Sequence, residues 1–121
     1  MKVEKNMGLF DIFKSKGKYS SLTNEQKQEM INNGELKPLY LIGLRFGGSD
    51  KIDNMVYAPV EAVEQKNKID DELENYMKQG RTVKGYMCIP SYKGKCSIPS
   101  KLKIQAFIDG KEQFVKNIDI W

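Results

Sequence analysis

Residues 102–120 alternate apolar and polar side chains on either side of Asp109-Gly110. This alternation is typical of two half-buried strands joined in a β-hairpin. The even positions that carry the pattern are Leu102, Ile104, Ala106, Ile108, Phe114, Lys116, Ile118 and Ile120. A two-residue turn would pair even positions with odd ones and put the two apolar sets on opposite faces. We therefore predict a loop of three residues with Gly110 in a G1-type bulge.

The sequence upstream of the hairpin predicts two helices. A first helix begins after Thr23, which has capping-box spacing to Gln26, and ends before Gly34. A longer helix extends from Pro59 to Gly80, because proline is tolerated at a helix start and glycine is a usual left-handed cap at its end. Its predicted core face consists of Ala62, Val63, Ile69, Leu73, Tyr76 and Met77.

Three further segments have the composition of strands. Alternating aromatic and branched side chains predict strands at Leu39–Phe46, Asn54–Ala58 and Val83–Ile89, the last followed by a loop from Pro90 to Pro99. The order of elements predicts an α+β fold, with a mainly antiparallel sheet of four to five strands and two helices on one face. A chain of 121 residues is long enough for one such domain, which we assign to residues 19–121.

Residues 1–18 form a basic segment ahead of this domain. In a helix, its four large apolar residues would lie on one side with lysines beside them, which is typical of a helix in a lipid interface. The expected membrane-contacting residues are Leu9, Phe10, Ile12, Phe13, Lys14 and Lys16. Residues 1–19 carry five lysines against two acidic residues, which leaves a net charge of only +1 for the rest of the chain. We therefore expect this amphipathic segment to meet an anionic membrane surface.

Met7-Gly8-Leu9-Phe10-Asp11 resembles the opening of the bacterial glucose-specific phosphotransferase IIA protein, and it is also similar to amphibian peptides of the aurein type. In the IIA protein this segment is an amphipathic membrane anchor, so the resemblance implies a cytoplasmic protein at the inner membrane face. It stops there, because the IIA protein works through a phosphorylated histidine and this chain has none. From Tyr57-Ala58-Pro59 onward, the layout is similar to small bacterial cytoplasmic proteins, some of them toxin-immunity proteins, and this likeness implies no site residue.

The absence of histidine argues against most enzyme classes. It removes the usual general base near neutral pH and the histidine-activated nucleophiles. Two cysteines, Cys88 and Cys96, are too few for a structural zinc site and favour free thiols in a reducing cytoplasm. The carboxylates of Asp70, Asp71 and Glu74 fall on the polar face of the long helix, where we expect solvent. We expect no catalytic residue, no metal and no cofactor.

Two alternatives remain open beside a protein-binding module. A small ligand or an enzyme substrate would use Arg45 and the loop that follows the first predicted strand; the candidate residues are Gly47, Gly48, Ser49, Asp50, Arg81 and Cys96. The loop lacks the Gly-Lys-Ser/Thr of a P-loop. A nucleic-acid partner, which we consider the weaker alternative, would use Lys93, Lys95, Lys101 and Lys103 with Tyr86 and Tyr92.

The leading hypothesis is a non-enzymatic module that binds another protein. Its binding surface would be the sheet face that the helices leave uncovered, or the loops at Gly47–Asp53 and Ser91–Ser100. The lysines near the second loop would then protect a solvent-facing strand edge from unwanted pairing.

Overall fold

The computed structural model of the protein describes residues 19–121, so the amphipathic segment expected at residues 1–18 lies outside it. The elements are α1 (Asn24–Asn32), β1 (Leu36–Tyr40), β2 (Met55–Pro59), α2 (Val60–Lys78), β3 (Val83–Ser91), β4 (Lys101–Ile108) and β5 (Glu112–Asp119). The predicted α+β class is confirmed. Within this part of the chain, neither helix has the length and apolar character needed to cross a bilayer.

Local sequence signals set the ends of both helices. The backbone N–H of Gln26 donates to Thr23 Oγ1 at 3.1 Å, and the backbone N–H of Thr23 donates to Gln26 Oε1 at 3.0 Å, which completes the predicted capping box. α2 follows Pro59 directly and stops ahead of Gly80, whose φ is +84°. Met77 was predicted to lie in the core but is 47% exposed, because it lies in the last turn of α2, beyond the buried Leu73.

The strands form two antiparallel sheets instead of the single sheet that the sequence predicted. β1 pairs with β2 in a ribbon, and β3, β4 and β5 form a three-stranded sheet in that order. β4 and β5 pair even positions with even positions, as in Leu102 opposite Ile118. This register confirms the three-residue loop between Ile108 and Glu112.

The conformation of that loop differs from the predicted G1 bulge. Both Asp109 and Gly110 have positive φ, of 57° and 70°, and the N–H of Lys111 donates to the carbonyl of Ile108. Positive φ at two consecutive central residues is characteristic of a type I′ turn. Asp109 is held there by hydrogen bonds from the backbone N–H and hydroxyl of Thr82.

The predicted strand Leu39–Phe46 is wrong in its second half, because β1 ends at Tyr40 and Leu44–Phe46 forms a 3₁₀ turn. The buried side chain of Asn54 folds this segment back. Asn54 Oδ1 accepts from the N–H of Ile42, and Asn54 Nδ2 donates to the Ile42 carbonyl at 2.8 Å and to the Ser49 carbonyl at 2.7 Å. These bonds hold Ile42 and Ser49, which flank the 3₁₀ turn, in place of a strand ladder at Ile42.

α2 lies between the ribbon and the three-stranded sheet and contacts β1, β2, β3 and β5. One buried cluster joins all three parts: Leu39, Ala58, Ala62, Leu102, Ile104 and Ile118. α1 packs on the ribbon, where Met30 and Leu36 share a second cluster with Ile98 and Trp121. The two helices therefore cover the ribbon and the inner face of the three-stranded sheet, and they leave its outer face open.

Candidate functional site

A one-residue bulge in β3 decides which of its side chains face α2. The pairing shifts between Lys84, which lies opposite Phe107, and Met87, which lies opposite Gln105. Because one extra residue reverses the alternation along a strand, Tyr86 points inward and Met87 points outward. Gly85 lies in the bulge with φ of +66°, a conformation that glycine adopts readily.

The inward Tyr86 meets two charged residues of α2. Its hydroxyl donates to Asp70 Oδ1 at 2.9 Å, and Lys66 Nζ donates to Asp70 Oδ2 at 2.7 Å. The Lys66 and Asp70 side chains are each only 3% exposed, and Lys66 Nζ lies 5.4 Å from the centre of the Tyr86 ring. The prediction that Asp70 lies on a solvated face is wrong, because the sheet covers this part of the helix. We name these three residues the buried polar cluster.

Two neighbouring groups stay protonated near neutral pH. Burial, with the carboxylate of Asp70 as a second cause, raises the pKa of Tyr86 far above its ordinary value. Burial also raises the pKa of Cys88 to about 11, although the nearby Lys66 opposes the effect. Cys88 is therefore a partly buried, protonated thiol, and neither group exchanges a proton readily at pH 7.

The buried polar cluster borders a cleft of about 310 Å³ between β1 and α2. The cleft is lined by Pro38, Leu39 and Tyr40, by Gly43, Leu44 and Arg45, and by Val63, Lys66, Asn67 and Asp70. Gly43 brings the backbone close to the cluster: a Cβ at this position would lie 2.8 Å from Asp70 Oδ2. Any larger residue at position 43 would therefore push into the ion pair.

Arg45 lies at the end of the cleft and is held against α2. Its Nη1 atom pairs with Asp71 and lies 3.4 Å from Glu74 Oε1. The hydrogen bond that Arg45 donates to Asp71 is the largest cause that raises the pKa of Arg45. Three carboxylates around the cleft have three cationic partners: Asp70 pairs with Lys66, Asp71 pairs with Arg45, and Glu74 lies between Arg45 and Lys78.

Sequence reasoning missed Lys66 and Asn67. The spacing of Lys66 to Asp70 is a common one for an exposed helical pair, so it does not distinguish a buried pair from a solvated one. The signal that could have been used is Gly85, because an isolated glycine in a strand pattern often marks a bulge. A bulge at Gly85 turns Tyr86 toward the helix.

The predicted ligand loop does not present its first backbone donors to solvent. The N–H of Gly47 donates to the Leu44 carbonyl at 3.0 Å, and the N–H of Gly48 donates to the Gly43 carbonyl at 3.1 Å. Ser49 Oγ accepts from the N–H of Lys51, whereas the side chain of Asp50 is exposed. The first donors of the loop are thus satisfied inside it, which leaves fewer N–H groups for a bound phosphate.

The other two residues of that candidate set have different surroundings. Arg81 pairs with Asp109 at 2.9 Å and Glu112 at 3.0 Å, and its guanidinium lies over the ring of Tyr76. Cys96 is half-buried beside the second cluster, which contains Met30 and Trp121, and its sulfur accepts a hydrogen bond from the N–H of Ile98. Within residues 19–121, no hydrogen bond or ion pair joins Arg81 or Cys96 to the loop at 47–50.

The residues suggested for nucleic-acid binding have different surroundings in the structure. Lys93 Nζ donates to the backbone oxygen of Trp121 at 2.8 Å, and Lys101 lies 3.9 Å from Asp119. Tyr86 belongs to the buried polar cluster, so its ring is unavailable for stacking on a base. Tyr92 is 47% exposed, and Lys95 and Lys103 are exposed as well.

The outer face of the three-stranded sheet carries four exposed apolar side chains. They are Met87, Ile89, Phe107 and Val115, with exposed fractions of 38 to 48%. The pairing register places Met87, Gln105 and Val115 in one row across the sheet, with Phe107 in the next row. We call this surface the outer sheet face.

Neither a protein-family model nor a curated protein matches the chain. Among the residues that the structure describes, no group of three or more cysteine and acidic side chains is placed to hold a metal ion. The functional argument therefore uses two surfaces, the outer sheet face and the cleft between β1 and α2.

Proposed function

We propose that the protein is a non-enzymatic module that binds another protein on its outer sheet face. The observation that carries this proposal is the set of four partly exposed apolar side chains on a face that neither α1 nor α2 covers. Covering these side chains would remove apolar area from water, which is the main favourable term in protein association. While these side chains face solvent, this part of their apolar area contributes no hydrophobic stabilisation to the domain.

The charges on this face indicate the chemistry of the partner. Lys84 lies opposite Phe107, and Lys103 lies opposite Ile89. Neither lysine forms an ion pair with another residue of the described domain, whereas Lys101 is already close to Asp119. We therefore expect a partner surface with an apolar centre and an acidic rim, because complementary charges raise the association rate and select the register.

The protonation states beside the cleft support binding more than catalysis. A general acid or base works best when its pKa lies near the operating pH. The pKa values of Tyr86 and Cys88 are raised away from neutrality, and Lys66 and Asp70 are held by each other. These groups provide a fixed arrangement of donors and acceptors.

We further propose that the amphipathic segment at residues 7–16 tethers the module to the inner face of the membrane. This proposal rests on the sequence pattern alone, since the segment lies outside the described residues. A tether would place the outer sheet face near membrane-associated partners.

Site-specific photocrosslinking tests the docking proposal. Phe107 is replaced by benzoylphenylalanine in the full chain, and Glu64, exposed on α2, is replaced in a control. In native cell extract we expect one discrete adduct from position 107 and none from position 64. The double variant Lys84→Glu/Lys103→Glu should weaken that adduct without lowering the melting temperature. Equal adducts from both positions, or an adduct that charge reversal leaves unchanged, would contradict the proposal.

A further inference from the structure

We infer that the cleft between β1 and α2 binds an extended, uncharged peptide segment, which pairs with the open edge of β1 and places a side-chain amide against Lys66. This site is separate from the outer sheet face and does not depend on the docking proposed there. The inference follows from three features: an unpaired strand edge, spare donors in the cleft, and the charge around them.

The hydrogen-bond pattern of the ribbon shows which groups of β1 are unpaired. The N–H of Leu41 donates to the Asn54 carbonyl at 2.9 Å, and Tyr40 lies opposite Met55 in the register. Antiparallel pairs alternate between bonded and non-bonded positions, so the odd residues of β1 bond toward β2 and the even residues point to the other edge. Pro38 and Tyr40 therefore direct their backbone polar groups away from the ribbon.

Pro38 and Tyr40 both line the cleft, and we infer that these outward backbone groups face it. The Tyr40 N–H, the Tyr40 carbonyl and the Pro38 carbonyl have no hydrogen-bond partner among residues 19–121. A peptide residue opposite Tyr40 would exchange two hydrogen bonds with it, and the Pro38 carbonyl would accept a third. Leu36 has the same parity but does not line the cleft, and proline has no N–H, so Tyr40 supplies the single β1 donor beside the cleft and sets the register of an added strand there.

Lys66 supplies the second feature. Its ammonium has three N–H donors, and the described domain offers one acceptor oxygen, Asp70 Oδ2. The Tyr86 ring lies near the ammonium but accepts no conventional hydrogen bond from it. Because the Lys66 side chain is 3% exposed, a ligand oxygen in the cleft would complete its hydrogen bonding more effectively than bulk water.

Charge decides which oxygen is favourable. Lys66 is neutralised by Asp70, and Arg45 is neutralised by Asp71 and Glu74. Glu74 also lies 3.9 Å from Lys78 Nζ, so each of the three carboxylates already has a cationic partner. A ligand carboxylate would add an uncompensated negative charge, and this is costly in a poorly hydrated cleft. A glutamine or asparagine carbonyl accepts the same hydrogen bond without that charge.

The cleft also has the size and walls for a short peptide. Its volume of about 310 Å³ is at the small end of ligand pockets, so it suits a few residues and not a folded surface. Leu39 and Val63 provide apolar walls, and Leu44, which is 49% exposed, lies at the rim. We therefore expect β-branched side chains on either side of the amide-bearing residue.

The test uses the full chain and the capped peptide acetyl-Thr-Val-Gln-Val-Thr-amide. A matched peptide has glutamate in place of glutamine, and another has an N-methyl group on the central residue. Binding is followed by ¹H–¹⁵N spectra and by hydrogen exchange of the Tyr40 amide. We expect the glutamine peptide to shift and protect that amide, and the other two peptides to bind at least about tenfold more weakly.

Two variant pairs separate the backbone contribution from the side-chain contribution. Tyr40→Pro and Tyr40→Val both remove the phenol ring, but only Tyr40→Pro removes the outward N–H. We expect Tyr40→Pro to bind the glutamine peptide at least about tenfold more weakly than Tyr40→Val. The double variant Lys66→Met/Asp70→Leu lacks the ammonium donor and should bind the glutamine peptide at least about tenfold more weakly than the unmodified chain, whereas Lys68→Met, exposed on the same helix, should bind it equally well.

Four results would overturn the inference. The first is no shift of the Tyr40 amide by the glutamine peptide at millimolar concentration. The second is equal binding of the glutamine and glutamate peptides to the unmodified chain. The third is the same shift produced by free glutamine, since this would indicate a small-molecule pocket. The fourth is a shift centred on Phe107, which would assign peptide binding to the outer sheet face and leave the docking proposal intact.

Discussion

The buried ion pair gives the sharpest test of the structure. In Lys66→Met, the Asp70 carboxylate would lose its counter-ion and keep one donor, the Tyr86 hydroxyl. Removing one partner of a buried pair costs about 3 to 5 kcal/mol, because the remaining charge is uncompensated. Lys66→Met/Asp70→Leu removes both charges with side chains of similar volume. We expect that double variant to lie within about 2 kcal/mol of the original protein, since Tyr86 keeps the Leu41 carbonyl as an acceptor at 3.2 Å.

The free energy of unfolding is measured by urea titration, followed by the fluorescence of the single tryptophan, Trp121. This residue is 8% exposed, so unfolding should shift its emission to longer wavelength. The matched control is Lys78→Met, which removes an exposed pair of the same spacing: Lys78 Nζ lies 3.9 Å from Glu74 Oε1 with 70% of its side chain exposed. Exposed helical pairs contribute about 0.3 to 0.5 kcal/mol, so this change should be small.

The reasoning is refuted if Lys66→Met costs no more than Lys78→Met, because the Lys66 ammonium would then be hydrated in solution. It is also refuted if the double variant costs as much as the two single variants added together. That result would mean that Lys66 and Asp70 are not energetically coupled.

Three other predictions concern the loop, the Cys88 thiol and the amphipathic segment. Asn54→Ala removes three side-chain hydrogen bonds and should lower the free energy of unfolding in urea by about 2 to 4 kcal/mol. The control Asn117→Ala, on the outer sheet face, should change it little. Similar losses in the two variants would contradict the role of Asn54 in holding the loop. The pKa of Cys88 is raised from 9.0 to about 11 in the folded state, so the stabilisation from its protonated thiol is complete below pH 9 and declines by about 2 to 3 kcal/mol between pH 9 and 11. In Cys88→Ala, the free energy of unfolding should fall less steeply with pH over this range. The same dependence on pH in the variant and the original protein would refute the raised pKa of Cys88. Phe10→Glu/Phe13→Glu should abolish co-sedimentation of the full chain with anionic vesicles, and equal sedimentation of both forms would exclude the tether.

The elements that followed from the sequence depend on neighbours along the chain. The capping box at Thr23 needs only a residue three positions away, and the loop length at Asp109 follows from the parity of two adjacent strands. α2 was predicted almost to its ends because proline and glycine act on the backbone at their own positions. Each of these signals involves residues that are close together in the sequence, so they can be recognised without knowing the fold.

The candidate sites were less accessible to sequence reasoning because they depend on contacts between distant segments. Nothing local to Asp70 distinguishes it from Asp71, yet one carboxylate is buried against the sheet and the other is exposed. The strand predicted through Phe46 ends early because Asn54, far along the chain, bonds to the backbone at Ile42. The open edge of β1 likewise becomes visible only when its register with β2 is known.

The sequence by itself therefore determined the α+β class, the helix ends and the pairing of the last two strands, since periodicity and caps act within a few residues. Tertiary structure alone decided that the strands form two sheets, that the bulge at Gly85 turns Tyr86 inward, and that Lys66 and Asp70 are buried beside a cleft. The physical reason is that burial depends on which surfaces meet, and that choice is made by the packing of the whole domain.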